Sequence, residues 1–206
     1  MMNPNALEPI LDDMAEILGD RRMYKFLHIP IQSGSDSVLE NMNRRFTAER
    51  FEAEVSRLRE LCPGISIATD IICGFPGETD EDHAMTVGMI RRLGLDTVNI
   101  TRFSPRPGTK AAEMEQTHGR ISNERSKELT SVKNETELGV NSREIGTVHL
   151  ALATEKGKDG TIMRTDRYRP VVVREDIPMG TFSTVKITEA KPTYLLGIVC
   201  NPQNKL

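Results

Sequence analysis

Apolar residues recur at three- and four-residue spacing across residues 6–18, where Leu7, Ile10, Leu11, Met14, Ile17 and Leu18 share a face and Gly19 supplies a stop. This spacing predicts a helix. A strand is expected over 24–31, YKFLHIPI. The next helix is expected over 47–62, capped by Thr47 and carrying Phe51, Val55, Leu58 and Leu61 as its buried stripe. Residues 65–73, ISIATDIIC, read as a second strand, and residues 80–93 as a helix with Thr79 at its cap and Gly94 at its stop. A third strand follows at about 96–103, DTVNITRF. The order is β-α-β-α-β with crossover-length helices, which implies parallel strands.

Strand side chains alternate between two faces, and here the faces differ. Leu27, Ile29, Ile31, Ile65, Ile67, Ile71, Cys73, Val98 and Ile100 make one face aliphatic. Opposite them stand Phe26, His28, Pro30, Gln32, Ser66, Ala68, Asp70, Thr97, Asn99 and Thr101. A doubly wound sheet is aliphatic on both faces. One greasy and one small-or-polar face fits instead a (β/α) barrel, complete or partial, whose polar face lines something wet or ligand-filled.

The texture changes further along. Residues 122–142 are rich in Glu, Lys and Asn, and read as an exposed connecting helix with a sparse apolar pattern of Leu129, Val132 and Leu138. Beyond 145 come five short β segments, 147–154, 160–165, 168–174, 181–189 and 194–200. Turn signals at Gly157, Asp159-Gly160, Pro178 to Gly180 and Lys191-Pro192 separate them. Five short strands in so short a stretch suggest a small closed barrel of the OB type.

Charge sharpens this division. The chain carries net −3, but residues 1–142 hold −6 and residues 143–206 hold +3, with +4 concentrated in 156–174. That contrast suggests a small RNA-facing module on a larger acidic domain. The cysteines, Cys62, Cys73 and Cys200, are odd in number and widely spaced, so they form neither a disulfide framework nor a zinc site. A cytoplasmic, reducing location is the default, and no apolar run approaches a membrane span.

Candidate chemistry gathers where the strands end. GFPGE, residues 74–78, follows the second strand, and Gly74 and Gly77 permit close backbone approach to a ligand. A ligand-free tight turn explains the same residues. Asp70 sits just inside on the polar face, where a carboxylate needs hydrogen-bond or charge partners. PIQSGSD, residues 30–36, offers Gln32, Ser33 and Ser35 around Gly34, or simply a capping loop. FSPRPGT, residues 103–109, contributes Ser104 and Arg106. In the basic β segment, Lys156, Lys158, Arg164, Arg167 and Arg169 offer phosphate contacts and Tyr168 a ring for base stacking. His28 reads as a satisfied interior histidine rather than a metal ligand.

These residues also carry a family resemblance. FLHIPIQSGSDSVLENMNRRFT, ISIATDIICGFPGETDED and TRFSPRPGTKAAEM resemble the latter half of the radical S-adenosylmethionine (SAM) barrel of tRNA methylthiotransferases. GKDGTIMRTDRYRPVVV and ITEAKPTYLLG are similar to the TRAM domain that follows that barrel, and YRPVVV is similar to the archaeal and eukaryotic branch. The resemblance implies an α/β fold with a partial radical-SAM barrel over 1–121, a connector over 122–144 and an OB-like TRAM barrel over 145–206. It implies a parent enzyme that uses S-adenosylmethionine and 4Fe-4S clusters to convert N6-threonylcarbamoyladenosine beside the tRNA anticodon to its 2-methylthio derivative. The family's CxxxCxxC motif and its three further cluster cysteines have no counterpart among Cys62, Cys73 and Cys200. The resemblance therefore reads the chain as a C-terminal fragment, inactive alone, that holds no metal or catalytic residue and is completed by an N-terminal half. By motif position, Gln32, Ser33, Gly34, Asp70, Gly74, Phe75 and Ser104 would line the S-adenosylmethionine pocket. Lys156, Lys158, Arg164, Arg167, Tyr168 and Arg169 would contact tRNA. Within the family, isopentenyladenosine or a ribosomal protein are alternative substrates. Outside it, the alternatives are a non-catalytic RNA-binding module and a metal-free barrel enzyme binding a phosphorylated metabolite at GFPGE.

Overall fold

The computed structural model describes residues 1–158 and 160–200; the expected turn residue Asp159 and residues 201–206 of the expected last domain lie outside the described residues. The chain starts with α1 (Pro4–Leu7), a 3-10 turn (Glu8–Ile10) and α2 (Leu11–Gly19). One continuous helix was expected over 6–18. Pro9 interrupts it, because proline lacks the N–H and its ring clashes with the preceding turn. The break also moves the buried face: Leu7, Leu11, Ala15 and Leu18 are buried, whereas Ile10 and Ile17 are exposed.

β1 (Phe26–His28), β2 (Ser66–Cys73) and β3 (Thr97–Arg102) form a parallel sheet in that order. β1 is much shorter than the eight residues expected. Pro30 can donate nothing to the ladder, and the buried Thr69 hydroxyl fills the gap, donating to Ile29 O at 2.8 Å and accepting from Ile31 N at 3.1 Å. Pairing resumes at Gln32, which bridges Ile71; the register has slipped by one from His28 opposite Ala68. Gln32 has φ +83°, an uncommon conformation for a side-chain-bearing residue.

α3 (Asp36–Asn41) and α4 (Ala48–Leu61) connect β1 to β2, and α5 (Asp80–Leu93) connects β2 to β3. Thr47 caps α4 by accepting from Arg50 N, and Phe51, Val55 and Leu58 are buried as expected, while Leu61 is exposed. Thr79 and Asp82 form a reciprocal capping box on α5, and Gly94 ends it in the left-handed conformation. Burial works against ionisation of Asp82, but donors from Ser35, Thr79 and Ser37 outweigh it and hold its carboxyl down at about 2. The aliphatic face of the sheet, with Leu27, Ile67, Ile71 and Val98, packs with these helices into one core.

α6 (Lys110–Glu113) leads to α7 (Gly119–Ser142). The expected exposed connector is wrong in character: Leu129 and Val132 are buried in the main core. α7 lies along β3, and the buried Glu137 accepts from Val98 N at 2.7 Å. Burial pushes the Glu137 carboxyl up to about 7, against that N–H and the Lys133 ammonium. α7 thus supplies an acceptor to the open edge of the sheet.

β4 (Val148–Gly157), β5 (Gly160–Arg164), β6 (Pro170–Val173), β7 (Phe182–Ala190) and β8 (Leu195–Val199) close into a barrel in the order β4-β5-β6-β8-β7. Its core is a second, smaller cluster that includes Ala151, Met163, Val171, Val185, Ile187 and Leu195. No helix among the described residues is long and apolar enough to cross a membrane.

Candidate functional site

The three βα loops meet at the C-terminal end of the parallel sheet, but they do not converge on one cavity. On the polar face, Asp70 Oδ1 accepts from Asn99 Nδ2 at 2.9 Å and pairs with His28 Nε2 at 2.8 Å. Asn99 on β3 stands directly opposite Asp70, and His28 on β1, opposite Ala68, reaches along the sheet to the same carboxylate, so the three form one hydrogen-bonded row. Asp70 Oδ2 has no hydrogen-bond partner among the described residues, and the row is open to solvent at Asn99.

Gly74 and Ser104 share an open cavity of about 590 Å³ with Arg102, Phe103, Gln116 and Ser122. Phe75 is buried edge-on to Phe103, with ring centroids 5.0 Å apart, and borders a second cavity of about 430 Å³ beside Ile72, Arg44 and Lys110. Ser33 and Gly34 turn the other way. The buried Ser33 hydroxyl lies 3.3 Å from Thr86 Oγ1, and Gly34 N donates to the same oxygen at 3.0 Å. A Cβ on Gly34 would stand 2.7 Å from the Thr86 Cα, so this glycine lets the loop press on α5. Gln32 is buried at the register slip. The seven expected pocket residues therefore fall into an open row with Asp70, two cavity walls with Gly74, Ser104 and Phe75, a helix contact with Ser33 and Gly34, and the register slip with Gln32.

GFPGE is a knot as well as a loop. Gly74 has φ +71°, and a Cβ there would lie 2.3 Å from Ser122 Oγ on α7. Gly74 N donates to Glu78 Oε2 at 2.8 Å. Arg125 of α7 donates to the same carboxylate oxygen at 2.8 Å, to Glu78 O at 2.9 Å and to Asp80 at 2.7 Å. Glu78 is thus a loop-closing carboxylate. Arg125 escaped the sequence reading because it falls on a helix that otherwise looks solvated.

The basic residues of the small barrel divide as well. Lys156 is exposed and pairs with Asp176, and Lys158 is exposed. Arg164 pairs with Glu155 at 3.0 Å and lies 4.6 Å above the Tyr168 ring. Tyr168, at φ +61°, packs against Tyr24 and Phe26. Arg169 pairs with Asp96 and donates to Asn141, and its side chain is only 11% exposed. Arg167 meets Glu144 at 3.1 Å. The His149 hydrogen bond leads in holding the Glu144 carboxyl below its usual value, with Arg169 and Arg167 adding to it against burial. Arg167, Tyr168 and Arg169 therefore occupy the seam where the small barrel meets the start of β1 and β3. Two exposed aromatics of the small barrel were not expected from the sequence, Tyr194 and Phe182, the latter 62% exposed on β7. Its place at the start of a strand gave no cue to which way it would face.

The donor set does not suit an iron–sulfur cluster. Cys62 and Cys73 are buried, Cys200 is half-buried just past β8, and burial above all pushes the Cys73 thiol up. Among the described residues no group of three or more His, Cys, Asp or Glu converges. The Asp70 row does suit a polar ligand, since it presents a carboxylate oxygen and an amide to open space.

The comparisons agree with this architecture. The Radical SAM superfamily model matches residues 2–90, and the TRAM domain model matches residues 142–200. A "Probable threonylcarbamoyladenosine tRNA methylthiotransferase" of Pyrococcus abyssi is 41% identical over 203 residues, covering 97% of this chain and 47% of that protein. The "Threonylcarbamoyladenosine tRNA methylthiotransferase" of Xenopus laevis is 41% identical over 96% of this chain and 36% of its own length, and the human one is 40% identical over 96% and 34%. The chain thus spans about half, or less, of the length of these relatives. Among solved structures, Escherichia coli coproporphyrinogen III oxidase (HemN), described as a radical SAM enzyme, matches with a TM-score of 0.54 at 17% identity. The match covers 97% of this chain and 50% of that one, and it speaks for the fold alone. The chain thus carries a Radical SAM segment followed by a TRAM domain, and along nearly all of its length it is about 40% identical to proteins named threonylcarbamoyladenosine tRNA methylthiotransferases.

Proposed function

We propose that this chain is the substrate-side part of a tRNA methylthiotransferase that places a 2-methylthio group on N6-threonylcarbamoyladenosine next to the anticodon, in a cytoplasmic setting. The observation that carries this reading is a radical SAM segment joined to a TRAM domain in one chain, with relatives of that name matching along nearly all of it. The three-stranded sheet is read as part of a (β/α) barrel, with its polar face as lumen, and the five-stranded barrel as OB-like. S-adenosylmethionine would supply methyl and radical chemistry when bound. Asp70, oriented by His28 and Asn99, would accept hydrogen bonds from its amino or hydroxyl groups. Gly74 and Ser104 would form one wall, and Phe75 with Phe103 would keep water from its apolar side. Gln32, Ser33 and Gly34 would support that pocket from behind through α5. The 4Fe-4S ligands do not fit within this chain and would come from another segment, on the same or a second polypeptide.

Supplying the chain together with a cluster-bearing N-terminal half tests the reading. Mass spectrometry of nucleosides from the treated tRNA should show a methylthio group replacing one hydrogen of threonylcarbamoyladenosine. Modified isopentenyladenosine alone would redirect the assignment within the family. The separation of Cys62, Cys73 and Cys200 favours one alternative, a chain that only binds RNA. Stoichiometric iron after anaerobic reconstitution of this chain alone would contradict both readings of its cysteines.

A further inference from the structure

At the N-terminal end of the sheet, opposite the Asp70 loops, a groove of about 610 Å³ opens between the two domains. Six arginines line it, Arg59, Arg91, Arg92, Arg143, Arg167 and Arg169, against only two carboxylates, Asp96 and Glu144. This excess of positive charge stands out in a chain of net −3 whose first 142 residues carry −6. The arginines have different duties. Arg59 donates to Leu93 O and Gly94 O at the C-terminus of α5, at 2.6 and 2.9 Å. Arg92 pairs with Glu52, Arg167 with Glu144 and Arg169 with Asp96. Arg91 and Arg143 are exposed, and neither has an ion-pair partner among the described residues. Arg91 comes from α5 and Arg143 from the residue capping α7, where the chain passes into the small barrel.

We propose that this groove binds the phosphodiester backbone of RNA, with Arg91 and Arg143 as the phosphate contacts and the paired arginines as a fixed positive wall. Guanidinium forks suit phosphate oxygens better than point charges do, and low-dielectric groove walls strengthen a single-sign field. The inference deepens the tRNA reading by naming a grip remote from the reacting base. The groove lies about one strand length, roughly 25 Å, from the loops at the other end of the sheet. Contacts there would add affinity without reading sequence.

Filter binding of unmodified tRNA to the 206-residue chain over a potassium chloride series tests this. Arg91→Ala with Arg143→Ala should flatten the slope of log affinity against log salt by about 1.4–1.8, and weaken binding roughly tenfold or more at 0.1 M salt. Melting temperature should stay the same, because neither side chain is paired. Arg91→Lys with Arg143→Lys, which keeps both charges, should restore most of the slope. An unchanged slope in a wild type that does bind tRNA would overturn the groove alone. A wild type that binds no tRNA would overturn the RNA reading of this chain with it. Displacement of tRNA by low-millimolar inorganic phosphate at constant ionic strength would make the groove a small-anion site and also overturn the proposal.

Discussion

The two ends of the parallel sheet use polar residues in opposite ways. At the C-terminal end, Asp70, Asn99 and Ser104 stay open, and the loops leave cavities between them. At the N-terminal end, Asp96, Arg169, Asn141 and Glu144 are paired across a domain seam, and Tyr168 closes over Phe26. The same residue types stay open to solvent at one end and fasten two segments together at the other. The difference lies in whether a second segment arrives with complementary charge. Here the small barrel delivers Arg167 and Arg169 to carboxylates held just after α7 and just before β3.

Breaking the fastened end should have the largest effect. Arg169→Ala leaves the Asp96 carboxylate, 9% exposed, without its cation, and should cost about 3–5 kcal/mol in urea unfolding. A cost below about 1 kcal/mol would place the pair among ordinary surface bridges. Gly74→Val comes next. Its Cβ would collide with Ser122 and its φ suits glycine, so a loss of about 2–3 kcal/mol is expected before any ligand is added. A stable variant with weakened S-adenosylmethionine binding would instead make GFPGE purely a ligand loop.

Glu137 sharpens the contrast through pH. Its folded carboxyl, at about 7, lies above its ordinary 4.5, so the folded state binds the proton more tightly. Its contribution to stability is fully present below about pH 4.5 and lost as pH rises through 7. Glu137→Gln, which keeps an acceptor for Val98 N, should match wild type near pH 4.5 and exceed it at pH 8 by up to about 3 kcal/mol. Equal unfolding midpoints at both pH values would show that Glu137 is charged without penalty. The smallest stability effect belongs to Lys156→Ala with Lys158→Ala. Both side chains are exposed, so the fold should change by less than about 0.5 kcal/mol. Any RNA slope should fall by about 1–2 units.

Much of the fold was legible because short-range signals carry it. Thr79 with Asp82, Gly94, the Phe51-Val55-Leu58 stripe and the two-faced strands all act within a few residues. Pro9 and Pro30 were equally local, yet their effects depend on the ladder or turn around them. The harder features needed a partner distant in sequence. Nothing near Arg125 announces Glu78, and nothing near Arg169 announces Asp96, 73 residues away. The motif positions of Ser33 and Gly34 were visible, but their direction was not. A register slip beyond Pro30 decides it, and one residue of slip exchanges the faces of a strand.

A double-mutant cycle between Asp96→Asn and Arg169→Ala tests most directly whether the small barrel is fastened to the sheet. Asparagine at 96 retains a side-chain oxygen to accept the Ile67 N–H, so the cycle isolates the link to Arg169. Unfolding free energies of wild type, both single variants and the double variant should give a coupling of about 2 kcal/mol or more. A coupling within about 0.5 kcal/mol of zero would mean that the two domains merely touch, and Arg169 would return to the candidate RNA contacts.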